Sequence, residues 1–256
     1  MAKNLQIPLQ TLKKGDIYAQ KVLKALQTYP FNDISPDLEL TINPRSKRMA
    51  LRVDVKSRKV RLVMPVRASM RSAYRFALEN KYWIREKIGE LPEIIEYKDG
   101  SKIKILGKPV TIHITYNPTL KTTSIQLINN QLEVLTNKQD PSARIRRFII
   151  QMAKEHLSAL SHEKAALIHK KILKIDVKDT SSRWGSCSSD GRLSYSWRLI
   201  FAPEHAFDYV VAHEVAHLQH MDHSPAFWDV CESLSNDYSR GKSWMKNKAA
   251  ELIQYA

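Results

Sequence analysis

The chain has 256 residues, of which 43% are hydrophobic and 26% charged, with a formal net charge of +15 and a pI of about 9.7. That composition excludes disorder as the default state and is enough to bury one ordinary core or two small ones. The positive balance favours an anionic partner such as nucleic acid, nucleotide phosphates or acidic lipid, but basic runs such as Arg45-Ser-Lys-Arg48 and Arg144-Ile-Arg-Arg147 lack aromatic interleaving, so a solvated basic surface is the simpler reading.

The opening MAKNLQIPLQTLKKGD lacks the apolar stretch of a secretory signal. No later run approaches the roughly 20 apolar residues that span a bilayer, so a cytoplasmic, membrane-free protein is expected. Residues 1–35 read as a basic amphipathic N-terminal extension ending in Tyr29-Pro-Phe-Asn-Asp-Ile-Ser-Pro36, whose prolines and turn formers interrupt any helix. Residues 36–138 read as a strand-rich lobe with one helix. Met49, Leu51, Val53 and Val55 alternate with polar neighbours, and Val60, Leu62 and Met64 follow across a hairpin near Ser57. Helical spacing covers 68–90 with Ala73, Ala77, Ile84 and Ile88 on one side, and Leu91-Pro92 stops it. Strands resume near Ile103, at 110–116, 123–128 and 131–136.

Asp140-Pro141 marks a helix start, because Asp caps free backbone N–H groups and Pro is tolerated in the first turn. This helix is predicted to run to about Lys171 and to open a second lobe, 139–256. A short strand at 173–178, a hairpin-like stretch at 181–200 and helices near 203–220, 225–238 and 241–254 complete the expected α+β fold. Only Cys187 and Cys231 occur, which supports neither a disulfide framework nor a paired CxxC metal site.

His213-Glu214-Val-Ala-His217 is an HExxH motif set in an apolar stripe of Phe207, Val211, Val215 and Leu218. Two histidines four apart leave one helix face a turn apart and can converge on one ion, while the adjacent glutamate faces the ion's open position. A third ligand is needed. On a continuous helix His220 would lie about 10 Å along the axis from His213, too far to share an ion. Met221-Asp222-His223-Ser224-Pro225 turns the chain, with Ser224 and Pro225 opening a new helix, so His223 can point back at the metal. The residues then define a candidate catalytic centre with one zinc per chain on His213, His217 and His223, and Glu214 as the base that activates water.

HEVAHLQHMDHSPAFW, together with the upstream RWGSCSSDGRLSYSWRLIFAP, resembles the YgjP-like family of metal-dependent hydrolases, related to the SprT-like zincin metallopeptidases. The likeness is close over the C-terminal lobe and looser over the strand-rich region, including Lys81-Tyr-Trp-Ile84. It implies a zincin-like C-terminal lobe and the same four roles for His213, His217, His223 and Glu214. It also leaves the substrate open, since SprT-like relatives cleave proteins, some of them bound to DNA, and a YgjP-type relative has been assigned nucleoside triphosphate pyrophosphatase activity. A zinc metallopeptidase acting on polypeptide is the first expectation. A metal-dependent nucleoside triphosphate (UTP-type) pyrophosphatase is the alternative, and a nucleic-acid-associated zinc protein without turnover is the second.

Around the motif, Arg183, Arg192 and Tyr195 are candidates for stabilising an oxyanion. Cys187 is weighed as a fourth ligand against a small buried hydrophobe. Asp208 or Asp222 is a candidate for orienting a ligand histidine through its second nitrogen. The strand leading into the metal helix is expected to accept an extended peptide along its edge, with Trp184 and Trp197 read as core packing.

Overall fold

The computed structural model describes residues 28–54, 57–91, 93–180 and 183–255. The described residues form a mixed α+β fold with three small sheets. The expected extension at 1–35 lies largely outside the described residues, but its last part is structured. Helix α1 (Phe31–Ile34) buries Phe31 and Ile34 in a core, so the prolines bracket a one-turn helix here.

The chain divides into two compact units between Leu91 and Pro92. In the first, strands β1 (Leu38–Ile42), β2 (Ala50–Asp54) and β3 (Lys59–Met64) form a sheet in the order β1-β3-β2. β2 and β3 make the expected antiparallel hairpin, while β1 lies parallel to β3. The helix expected over 68–90 is two helices, α2 (Met70–Glu79) and α3 (Lys81–Gly89). Asn80 interrupts them by donating from Nδ2 to the Phe76 carbonyl at 2.8 Å. Such a side chain competes with the backbone ladder. Ala73, Ala77 and Ile84 still share the core with Leu40, Val60 and Leu62.

The second unit holds two sheets. Strands β4 (Lys102–Ile105), β5 (Lys108–Tyr116), β6 (Ser124–Ile128) and β7 (Gln131–Thr136) run in the order β4-β5-β7-β6. Strands β8 (Lys174–Lys178), β9 (Gly185–Cys187) and β10 (Arg192–Ser196) run β8-β10-β9, leaving β9 at an edge. Helix α4 (Ser142–Leu167) begins where expected, with Asp140 Oδ1 accepting from the Ser142 N–H at 2.9 Å. Its buried stripe of Ile145, Ile149, Ala153 and Leu157 joins Ile103, Ile112, Leu132 and Val134 in the same core as the residues around the HExxH motif. The strands at 102–136 therefore pack with the C-terminal elements, whereas the sequence put a lobe boundary at Asp140. The reason is that apolar residues of β4, β5 and β7 share one core with α4, which local periodicity cannot reveal.

Helix α5 (Glu204–Ala216) carries the motif and is buried nearly all round, from Ala206 to Ala212 and again at Val215 and Ala216. Helices α6 (Pro225–Leu234) and α7 (Tyr238–Lys248) pack on it. The crossing with α7 depends on Gly241, where a Cβ would sit 2.4 Å from the His205 carbonyl oxygen and 2.5 Å from Tyr209 Cβ. Trp197 is buried in the core and Trp184 packs against it, as expected. No helix among the described residues is long and apolar enough to cross a membrane.

Candidate metal centre

His213 lies in the last turn of α5 and His217 is its C-terminal cap. His223 stands just before Ser224, whose hydroxyl caps α6 by accepting from the Phe227 N–H. The chain thus reverses within 218–224, as Pro225 and the serine cap predict. One ligand atom from each of His213, His217 and His223 lies within 4.8 Å of the others. The Nε2 atoms of His213 and His223 face each other at 3.2 Å. Nitrogens held about 2.0–2.1 Å from a tetrahedral zinc are separated by about 3.3 Å, so the donor set suits such an ion in chemistry, and the His213–His223 pair suits it in spacing.

The His217 nitrogen is also presented in the right form. His217 Nδ1 is 3.0 Å from the His220 carbonyl oxygen, which can only accept, so Nδ1 carries the proton and Nε2 keeps its lone pair. His220 thus serves through its backbone. His213 Nδ1 is buried without a hydrogen-bond partner among the described residues. Its ring is oriented by packing against Phe227 and Trp228 at centroid distances of 5.0 and 5.7 Å. Phe227 also lies 4.4 Å from the His217 ring, so it forms one wall of the cluster.

Glu214 projects to β9. A Cβ on Gly185 would come within 2.5 Å of Glu214 Oε1, so only glycine lets the strand approach the carboxylate this closely. Glu214 is 5% exposed. Burial pushes its pKa up to about 8, opposed by the positive charge of Arg183. His213 is driven down to about 4 by burial and then by the charges of His217, His223 and Lys242. His217 is lowered too, mainly by burial.

These shifts define a measurable linkage in the metal-free protein. The folded pKa of His213 lies below its ordinary 6.5, so its contribution to stability is present above about pH 6.5 and lost as pH falls towards about 4. Glu214 has the opposite sign, because its folded pKa lies above 4.5. Its contribution is lost as pH rises through about 8. A bound cation favours both the neutral imidazole and the carboxylate, so the gain in Tm on adding zinc to chelated protein is expected to be larger near pH 8 than near pH 6. Thermal melts at the two pH values check this, and equal gains would contradict it.

The oxyanion candidates separate. Arg183 is exposed and its charge is felt by Glu214. Arg192 is engaged by Asp190, with Nε at 2.6 Å from the carboxylate. The Tyr195 hydroxyl lies 3.0 Å from Ser161 Oγ in a fully buried position, which keeps it from any substrate oxygen. The Cys187 thiol is outside the histidine cluster, and burial and then the Glu214 charge push its pKa up to about 11. Neither aspartate orients a ligand ring. Asp222 accepts from the Ser224 N–H, and Asp208 binds Lys164 and Asn236. Sequence reasoning missed Gly185, Phe227 and the Lys164–Asp208 pair. A lysine at a buried-stripe position of α4 was the one available signal for that pair.

A buried carboxylate next in the chain to three convergent imidazoles suits a metal-dependent, peptidase-like hydrolase, the class that the family match supports. A family model described as the YgjP-like metallopeptidase domain matches residues 47–248, and the chain belongs to that family. No curated protein and no solved structure matches the chain.

Proposed function

We propose that the protein is a zinc metallopeptidase of zincin-like architecture that hydrolyses peptide bonds in an extended polypeptide. What supports this reading is that Glu214, next in the chain to His213 of the three-histidine cluster, packs against Gly185 of the edge strand β9. His213, His217 and His223 would hold one divalent ion, for which three imidazoles make zinc the natural occupant. When bound, the ion supplies Lewis acidity, which acidifies a water and polarises the scissile carbonyl. Glu214 accepts the water proton on its carboxylate and returns it to the leaving amine. Burial raises its pKa in the metal-free protein, and a bound cation would favour the carboxylate form that accepts the proton. Among the described residues β9 is hydrogen-bonded to β10 on one side only, so its other side can align a substrate strand by backbone pairing. Arg183 is the donor for the developing oxyanion.

The test is chelation and reconstitution with two substrate panels. Chelated protein is expected to be inactive, and one equivalent of zinc per chain is expected to restore cleavage of unfolded protein but not of nucleoside triphosphates. Zinc-dependent release of pyrophosphate from a nucleotide, without peptide cleavage, would replace this reading with that of a pyrophosphatase. Stoichiometric zinc with neither activity would point to a nucleic-acid-associated zinc protein.

A further inference from the structure

Beside His217 lies a cavity of about 230 Å³ bounded by three segments: Lys170 and Lys171 after helix α4, the β9–β10 turn at 188–191, and 217–221 after helix α5. His217 belongs to both the cavity wall and the histidine cluster, so the cavity and the candidate metal centre share a residue. Its walls are tied together. The Leu173 N–H donates to the Gly191 carbonyl at 2.9 Å, and the Gly191 N–H to the Ser188 carbonyl at 2.9 Å. The chain leaves α4 through His169, at φ 54°, and the Lys170 N–H returns to the Ala165 carbonyl at 2.9 Å, which places the two lysines at the rim.

The charge in this cavity is not balanced. Asp190 is its one carboxylate, and it is already bound by Arg192 Nε at 2.6 Å and Ser188 Oγ at 2.5 Å. Lys170 and Lys171 form no ion pair among the described residues, in contrast to nearby Lys174, which pairs with Asp176 at 2.8 Å. Met221, 52% exposed, adds an apolar wall that a side-chain methylene can cover.

We propose that this cavity is a subsite for a carboxylate on the polypeptide substrate, with Lys170 and Lys171 as its counter-charges, so that the enzyme favours acidic sequences or a free C-terminus near the scissile bond. The proposal rests on the metallopeptidase reading. Side chains of an extended substrate alternate between faces, so only residues of one parity around the scissile bond can enter. Two exposed ammonium–carboxylate pairs correspond to about a two- to thirtyfold preference in kcat/KM.

The experiment uses the zinc-loaded full chain and quenched peptides that differ by one Gln-to-Glu change at successive positions, each with a free or an amidated C-terminus. Binding of the same peptides to Glu214→Gln is read by fluorescence anisotropy, which needs no turnover. The ratio of acidic to neutral kcat/KM is expected to exceed one at alternate positions. It should fall towards one in Lys170→Ala/Lys171→Ala, invert in Lys170→Glu/Lys171→Glu and return in Lys170→Arg/Lys171→Arg. A preference that follows the internal glutamate identifies a side-chain subsite, and one that follows the free terminus identifies a terminal carboxylate. Cleavage without an acidic preference, or a preference that survives charge reversal, overturns the subsite and leaves the peptidase reading standing. Lysine-dependent binding of acidic peptides without any cleavage does the opposite.

Discussion

Glu214→Gln is expected to retain one metal per chain and to lose turnover by about 10²–10⁴-fold in kcat, the range that general acid–base catalysis contributes. Glutamine keeps the shape of the side chain, so it fits the gap that Gly185 leaves. Because burial raises the Glu214 pKa to about 8, the neutral amide is tolerated in the fold at least as well as the carboxylate, and no loss of stability is expected. The ligand histidines are untouched. Metal content, Tm and turnover measured on the same preparation therefore isolate proton transfer. Wild-type turnover in this variant would remove Glu214 from the mechanism.

The largest loss of stability is expected from Asp208→Ala, at about 3–5 kcal/mol, because it strands a buried ammonium. Lys164 and Asp208 side chains are 4% and 3% exposed, and Nζ lies 2.6 Å from Oδ1. Lys164 also donates to the Leu234 carbonyl at 2.5 Å, and Asp208 accepts from the Asn236 N–H at 2.9 Å and from Asn236 Nδ2 at 3.1 Å. One carboxylate on α5 thus ties α4 and the chain that leaves α6 to the metal helix. Against a total stability of about 5–15 kcal/mol, such a loss is severe. Replacing both partners in Lys164→Met/Asp208→Leu is expected to recover much of it, since a buried pair and an apolar pair of similar volume are often close in energy. Denaturant midpoints of the single and double variants measure the difference. A cost for Asp208→Ala below about 1 kcal/mol would show that the pair is solvated in solution.

The elements whose signals are local were legible before the fold was known. Ser224-Pro225 announced α6 and with it the reversal that carries His223 back, and the i, i+4 spacing of His213 and His217 announced a shared face. The hairpin at 57 and the start of α4 at Asp140 were written in turn and cap residues. Asn80 was different: its side chain bonds the Phe76 carbonyl and divides a helix whose apolar spacing continues through it. The boundary at Asp140 also misled, because a helix start says nothing about which sheet its buried stripe will meet.

By itself the sequence determined the chemistry of the donor set: three imidazoles and a carboxylate at spacings that a helix and a capped turn convert into proximity. Only the tertiary structure decided what surrounds them. Gly185 against Glu214, Gly241 beneath the α5–α7 crossing, the buried Lys164–Asp208 tie and the lysine-lined cavity join residues far apart in the chain. Period and propensity report which face of an element is apolar, whereas the partner of that face, and the charge left unpaired beside it, are set by long-range packing.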